Sequence, residues 1–365
     1  MKRSFVSLLA ITAIAVSRPV LASDSALHTK INGPHQIALD PSGNLYVSEE
    51  YGKRILKIDP RTTKVSVIAG NGHECCREEN VPARKSSICH VYSIAPDRSR
   101  NLYIAGRNAR DGAFVRIVHG DSGKIETLAR GESPGSALGV RPSEANLSDP
   151  KGIVVTTEGR VLVSADQLHI VVEFGRTVRL VAGTEREKGF SGDGGPASLA
   201  QFDLPGAMAI DPRGNVFVAD YFNHRIRRID GQTGIVTTVA GNGSGASSGE
   251  GQAAVDAGVP YPYALAVDSL GNLFIIENGT FKVRKVDANS GIIRTVAGTG
   301  HDGFSGDGGL ATDADMNPVG IAVDQQGNLY ISDIDHNRIR RVDGGTGVIS
   351  TVAGNGLPRR KSHIE

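Results

Sequence analysis

Every cysteine of the chain falls in one stretch, HECCREENVPARKSSICHV (73–91), which holds Cys75, Cys76 and Cys89 with His73 and His90 beside them. Thiolate and imidazole are ligands that zinc and copper both accept. In an oxidising compartment the same thiols would instead pair, Cys75 or Cys76 with Cys89, leaving one cysteine over. The order His-x-Cys-Cys…Cys-His departs from the usual zinc spacings. A disulfide is therefore the first expectation, and a metal site on His73, Cys75, Cys76, Cys89 and His90 the alternative.

A second set of reactive types recurs. Glu49/Arg54, Asp220/Arg225, Glu277/Lys282 and Asp333/Arg338 each place a base five residues after an acid. Each acid ends one apolar segment and each base opens the next. The expected role is structural: the two groups satisfy turn amides and each other. Asp193 and Asp307 sit in two GFSGDGG loops, where one carboxylate per loop is far short of a calcium site, so a turn-forming role is expected.

The elements that position these residues are set by self-similarity. IALDPSGNLYVSEEYGKRILKIDPRTTKVSVIAGNG (37–72) matches MAIDPRGNVFVADYFNHRIRRIDGQTGIVTTVAGNG (208–243) and two further copies at 265–300 and 321–356. Weaker copies occupy 92–131 and 153–183. The turn residues Asp40, Asp97, Thr156, Asp211, Asp268 and Asp324 stand 57, 59, 55, 57 and 56 residues apart. Each copy reads as four short strands joined by glycine turns. A sheet this small cannot cover both its faces, but six stacked radially cover one another. The prediction is an all-β fold, a six-bladed β-propeller of four-stranded antiparallel blades. Its repeats span about 33–72, 90–131, 149–184, 204–243, 260–300 and 317–356, in one domain over 23–365. The ring is expected to close mainly by packing between the first and last blades.

That arrangement puts one residue per blade at the start of an innermost strand: His35, Tyr92, Lys151, Gly206, Tyr263 and Val319. His35, Tyr92, Lys151 and Tyr263 are the candidate binding residues at the channel mouth. RNARDGAF (107–114) lengthens one turn in the second, divergent copy.

The pattern P-x-G-I-A-V-D-x-x-G-N-L-Y-[VI]-[SA]-D-x-x-x-[NH]-R-I-R-[RK]-[VI]-D, followed by G-x-[IV]-x-T-V-A-G-N-G, resembles the NHL repeat. It is nearly complete in the fourth and sixth copies. The GFSGDGG loops look like the linkers of exported bacterial NHL proteins. The resemblance covers about residues 33–356 and implies the propeller fold. It leaves function open, because such propellers bind proteins, RNA, peptides or small molecules and a few are enzymes. Peptidyl-amidoglycolate lyases and gluconolactonase-like hydrolases hold a metal near the axis. Only one histidine, His35, lies in the inner column here, where three would be needed.

Lys2 and Arg3, the apolar run 5–16 and the small-residue end at Ala22 have the order of a secretory signal peptide over 1–22. The run is too short to span a bilayer, so a secreted or periplasmic protein without a transmembrane segment is expected. Forty basic and 39 acidic residues give a net charge of +1, which offers no electrostatic case for nucleic acid. No HExxH helix or phosphate loop occurs. The reading is a monomeric scaffold that binds a protein, peptide or glycan, with no cofactor. The alternative is a metal-dependent lyase or lactone hydrolase holding a divalent ion at the channel.

Overall fold

The computed structural model describes residues 25–73, 78–108, 112–131 and 137–357. It is a six-bladed β-propeller: six antiparallel sheets, each with four strands in chain order. The blades occupy 34–69, 91–131, 150–182, 205–240, 262–297 and 318–353. The first strand of each blade, from Pro34–Leu39 to Pro318–Val323, touches the first strands of both neighbours, so these six strands line the axis.

Local sequence explains the strands. In blade 4, Val216–Asp220 is buried along its whole length, because each face meets a neighbouring blade. The apolar clusters accordingly lie between blades. Val154, Leu162 and Val171 of blade 3 pack on Phe202, Met208 and Val218 at blade 4. The turn opening each second strand is held by its aspartate. Asp211 accepts from the Arg213 and Asn215 amides and from the Asn215 side chain, at 2.9, 2.9 and 2.7 Å. Asp40, Asp97, Asp268 and Asp324 make the same loop with their asparagines, and Thr156 replaces aspartate in blade 3.

The linkers between blades repeat one contact. In linkers leading to blades 2, 4, 5 and 6 a buried alanine, Ala83, Ala197, Ala254 or Ala311, accepts from the glycine that ends the previous blade and donates to a turn of its own blade. Ala26 does the same at the junction of blades 6 and 1. Its carbonyl accepts from Gly354 N at 2.9 Å and its amide donates to Thr63 O at 2.9 Å. Residues 25–33 thus act as the sixth linker, and Ile31 is buried in that junction with Leu56 and Ile339. Gly33 N donates to Asn337 Oδ1 at 2.8 Å and Ser332 Oγ to His35 O at 2.5 Å. Gly320 is required there, since a Cβ would collide with the His35 carbonyl oxygen. All four described strands of blades 1 and 6 come from their own repeats.

The lengthened hairpin of blade 2 consists of Leu102–Asn108 and Gly112–Val118; its tip, 109–111, lies outside the described residues. So do the expected signal peptide, Cys75 and Cys76.

Candidate functional site

The acid–base pairs define how polar groups are buried near the rim. Glu49 and Arg54 form the expected ion pair at 2.7 Å, with Glu49 also accepting from Asn32 N at 2.8 Å. Asp220 and Asp333 likewise accept from backbone amides, Asp203 N at 2.8 Å and Asn317 N at 3.0 Å, but the ion pairs expected of Asp220 with Arg225, Glu277 with Lys282 and Asp333 with Arg338 are replaced. There the acid reaches the arginine seven residues on, not the base five residues on. Asp220 lies 3.4 Å from Arg227, Glu277 3.2 Å from Arg284, and Asp333 3.7 Å from Arg340.

The bases five residues on are placed otherwise. Arg225 stacks on Phe190 at 3.9 Å, and Arg338 on Phe304 at 3.8 Å. Lys282 stands opposite Glu277 in the strand register, yet the carboxylate turns to Arg284 and Ser247. Burial raises the Glu277 pKa, opposed by Ser247, by Arg284 and only then by Lys282. The reason is the same in all three blades and lies in position along the strand, since residues two apart share a face. Arg227, Arg284 and Arg340 lie mid-strand and point between blades, whereas Arg225, Lys282 and Arg338 lie at the strand's open end.

These inner arginines were not singled out from sequence. Arg116, Arg227, Arg284 and Arg340 are among the largest fully buried side chains. Arg227 donates to Asp193 at 2.8 and 3.1 Å, and to the carbonyls of Ser191 and Gln201. Arg340 repeats this with Asp307 and Ser305 O. The GFSGDGG aspartates, expected only to form turns, therefore lock their loops to the blade. Blade 1 has Leu56 at the corresponding position and blade 3 has Val172.

At one end of the axis, strand starts from blades 1 to 5 surround a cavity of about 350 Å³. Tyr92, Lys151, Gly206 and Tyr263 of the sequence column line it, joined by Gln36, Asp149, Asp166 and Tyr221. Val319 does not line it. His35 stands behind Tyr263, with Nε2 2.9 Å from the Tyr263 hydroxyl and Nδ1 3.2 Å from Val91 O. Because a carbonyl only accepts, Nδ1 carries the proton and Nε2 accepts from the phenol. Burial lowers the His35 pKa, and burial pushes the Tyr263 phenol up to about 12. Both His35 nitrogens are thus engaged, and a metal would have to displace Tyr263.

The charged part of the mouth comes from blade 3. Lys151 Nζ lies 3.5 Å over the Tyr92 ring, 3.3 Å from Asp149 and 4.0 Å from Asp166. Asp166 is 4% exposed. Burial raises its pKa to about 7, with Lys151 opposing and Asp149 adding to the rise. Its Oδ1 atom is buried without a hydrogen-bond partner among the described residues. Asp149 is held at φ +54°, in the left-handed region, just before the proline that opens its blade. Gly33, Leu204 and Tyr261 share that position and conformation in blades 1, 4 and 5. Sequence reasoning missed Asp149 and Asp166; the residue before each strand-opening proline was the available signal for Asp149.

The cysteine stretch is described only in part. Cys89 is buried and His90 lies 2.6 Å from Glu50. Among the described residues no group of three or more His, Cys, Asp or Glu is placed to hold a metal, and no helix is long and apolar enough to cross a membrane.

A radial disc of six such blades, with a pocket where its innermost strands begin, is a β-propeller. The repeats make it one of the NHL type, and the chain is an NHL-repeat β-propeller. The model of the teneurin NHL domain matches residues 299–362. Mouse Teneurin-1 is 26% identical over 87% of this chain, which spans 12% of that relative's length. Among solved structures, an auxiliary nutrient binding protein from Bacteroides thetaiotaomicron superposes with a TM-score of 0.61 at 16% identity. It covers 88% of this chain and 70% of its own. Virginiamycin B lyase from Staphylococcus aureus gives a TM-score of 0.51 at 13% identity, covering 92% and 88%. At these identities the solved structures share the fold.

Proposed function

We propose that this protein is a ligand-binding propeller whose recognition site is the cavity at the channel mouth. The observation that supports this reading is the Asp166 carboxylate. A buried oxygen without a partner is costly, and the residue that carries it lines a cavity of ligand size. A ligand hydroxyl or amide N–H would meet this carboxylate from the cavity, while Lys151 and Tyr92 would hold its other side. The ligand is a polar organic group, free or at the end of a peptide, protein or glycan. A superposing protein is described as nutrient binding, in keeping with this reading. A catalytic metal is less well supported, because His35 is committed to Val91 and Tyr263.

The leader-like residues 1–22 place the protein outside the cytoplasm in this proposal, as a monomer, with Cys89 paired to Cys75 or Cys76. A count of alkylatable thiols on the exported protein checks that pairing: one disulfide leaves a single thiol.

The binding site is tested by calorimetry against a library of sugars and short peptides. Asp166→Asn should weaken the best ligand about tenfold or more, the scale of one lost charge-assisted hydrogen bond. Ala207→Phe should plug the cavity. Full affinity in both variants would remove the site from this pocket.

A further inference from the structure

Beside the cavity lies a partly exposed patch of aromatic side chains where blades 4 and 5 meet. Phe222 and Tyr261 are 49% and 37% exposed. They and Tyr221 form one group, with ring centroids 5.2 Å apart for Tyr221–Phe222, 5.4 Å for Tyr221–Tyr261 and 6.3 Å for Phe222–Tyr261. The group is fixed. His224 meets the Tyr261 ring edge-on at 4.4 Å and accepts from Tyr261 N at 3.1 Å. Asn278 Nδ2 donates to the Tyr221 hydroxyl at 3.1 Å. Tyr261 sits at φ +43°, a conformation that a bulky residue rarely adopts. Tyr221 lines the cavity as well, so patch and pocket are continuous.

The charges of the pocket select among occupants. An anion would meet Asp149 and Asp166. A cation would find its place taken, because Lys151 already lies over Tyr92 and against both carboxylates. What remains is a neutral group rich in both donors and acceptors, giving hydrogens to Asp166 and taking them from Lys151 and Tyr92. Rigid, exposed rings next to such a pocket suit a molecule with polar edges and C–H faces. Rings held in advance bind with little loss of side-chain entropy.

Resting on the channel-mouth reading, we propose that the Tyr221–Phe222–Tyr261 platform, whose rings are inclined to one another by 49–82°, offers the exposed Phe222 face to a sugar ring of a neutral oligosaccharide whose terminal sugar enters the cavity. The sugar's C–H faces lie on the aromatic faces, and its hydroxyls engage Asp166, Lys151 and Tyr92.

The test is a screen of the exported protein on an array of neutral linear hexaoses, with β-1,4, α-1,4 and β-1,3 linkages among them. Calorimetry follows with the best hexaose and its monosaccharide. The hexaose should bind at least about tenfold tighter than the monosaccharide, which is about 1.4 kcal/mol. Phe222→Ala, at an exposed position, should abolish that gain and leave the monosaccharide unchanged, while Asp166→Asn should weaken both. A gain that survives Phe222→Ala overturns the platform and leaves the cavity reading standing. Unchanged binding in Asp166→Asn overturns the cavity reading. Retention of no glycan overturns the carbohydrate class.

Discussion

Asp166 shows how one residue can reveal a site that spacing conceals. In sequence it is an aspartate after a strand, with no partner at a telling distance. In space it faces Lys151 at 4.0 Å and Asp149, and is nearly excluded from water. Its folded pKa of about 7 exceeds the ordinary aspartate value, so the folded protein holds a proton that the unfolded chain has released between about pH 4 and pH 7. This group therefore lowers stability as pH rises through that window. Asp166→Asn should be more stable than the parent by about 2–4 kcal/mol at pH 8, and nearly equal to it at pH 3.5. Urea unfolding at the two pH values measures this; equal differences at both would show that Asp166 titrates normally. Of the expected mouth residues, Tyr92, Lys151 and Tyr263 line the cavity and His35 supports it. Their column was legible because each follows the residue that opens a blade. Asp166 was not, because burial of a carboxylate is a property of the packed mouth alone.

Among the elements, the strands and turns were legible because glycines, aspartates and apolar runs recur at the blade period. The contacts between linker and blade were not. A mid-strand arginine such as Arg227 has the composition of a surface residue, and its partner Asp193 lies 34 residues away. Sequence adjacency pointed to Arg225 instead, as it pointed to Lys282 in blade 5 and Arg338 in blade 6. The difference is measurable. Arg227→Met leaves Asp220, which is fully buried, without its cation, and should cost about 3–5 kcal/mol. Arg225→Met loses a stack on Phe190 and should cost about 1 kcal/mol. Chemical denaturation of the two variants compares them. Equal costs would return the pairing to the one read from spacing.

For the whole molecule, the repeat count and the propeller followed from the sequence, since no other arrangement covers six small two-faced sheets. The breaking of its sixfold regularity did not follow. Blade 3 alone brings Lys151, Asp149 and Asp166 to the mouth, and blades 4 and 5 bring the exposed rings. Equivalent positions carry His35 and Gly33 in blade 1 and Val319 in blade 6. The scaffold is periodic, while the surface it offers to a ligand differs at every blade.

The junction closed by Ala26 has a mechanical consequence. Five junctions of the ring are spanned by peptide chain, but the sixth is held by side-chain packing and by single bonds such as Gly354 to Ala26 and Gly33 to Asn337. A molecule stretched between residues 25 and 357 in an optical trap loads that seam first. The bonds there part in succession rather than together, and the hoop opens into an arc before any sheet tears. Further extension then frees one blade at a time. The recorded trace should be a sawtooth with steps of about 190 Å, the contour of some 56 residues. A single cooperative rupture would mean that the seam is as strong as the five covalent junctions.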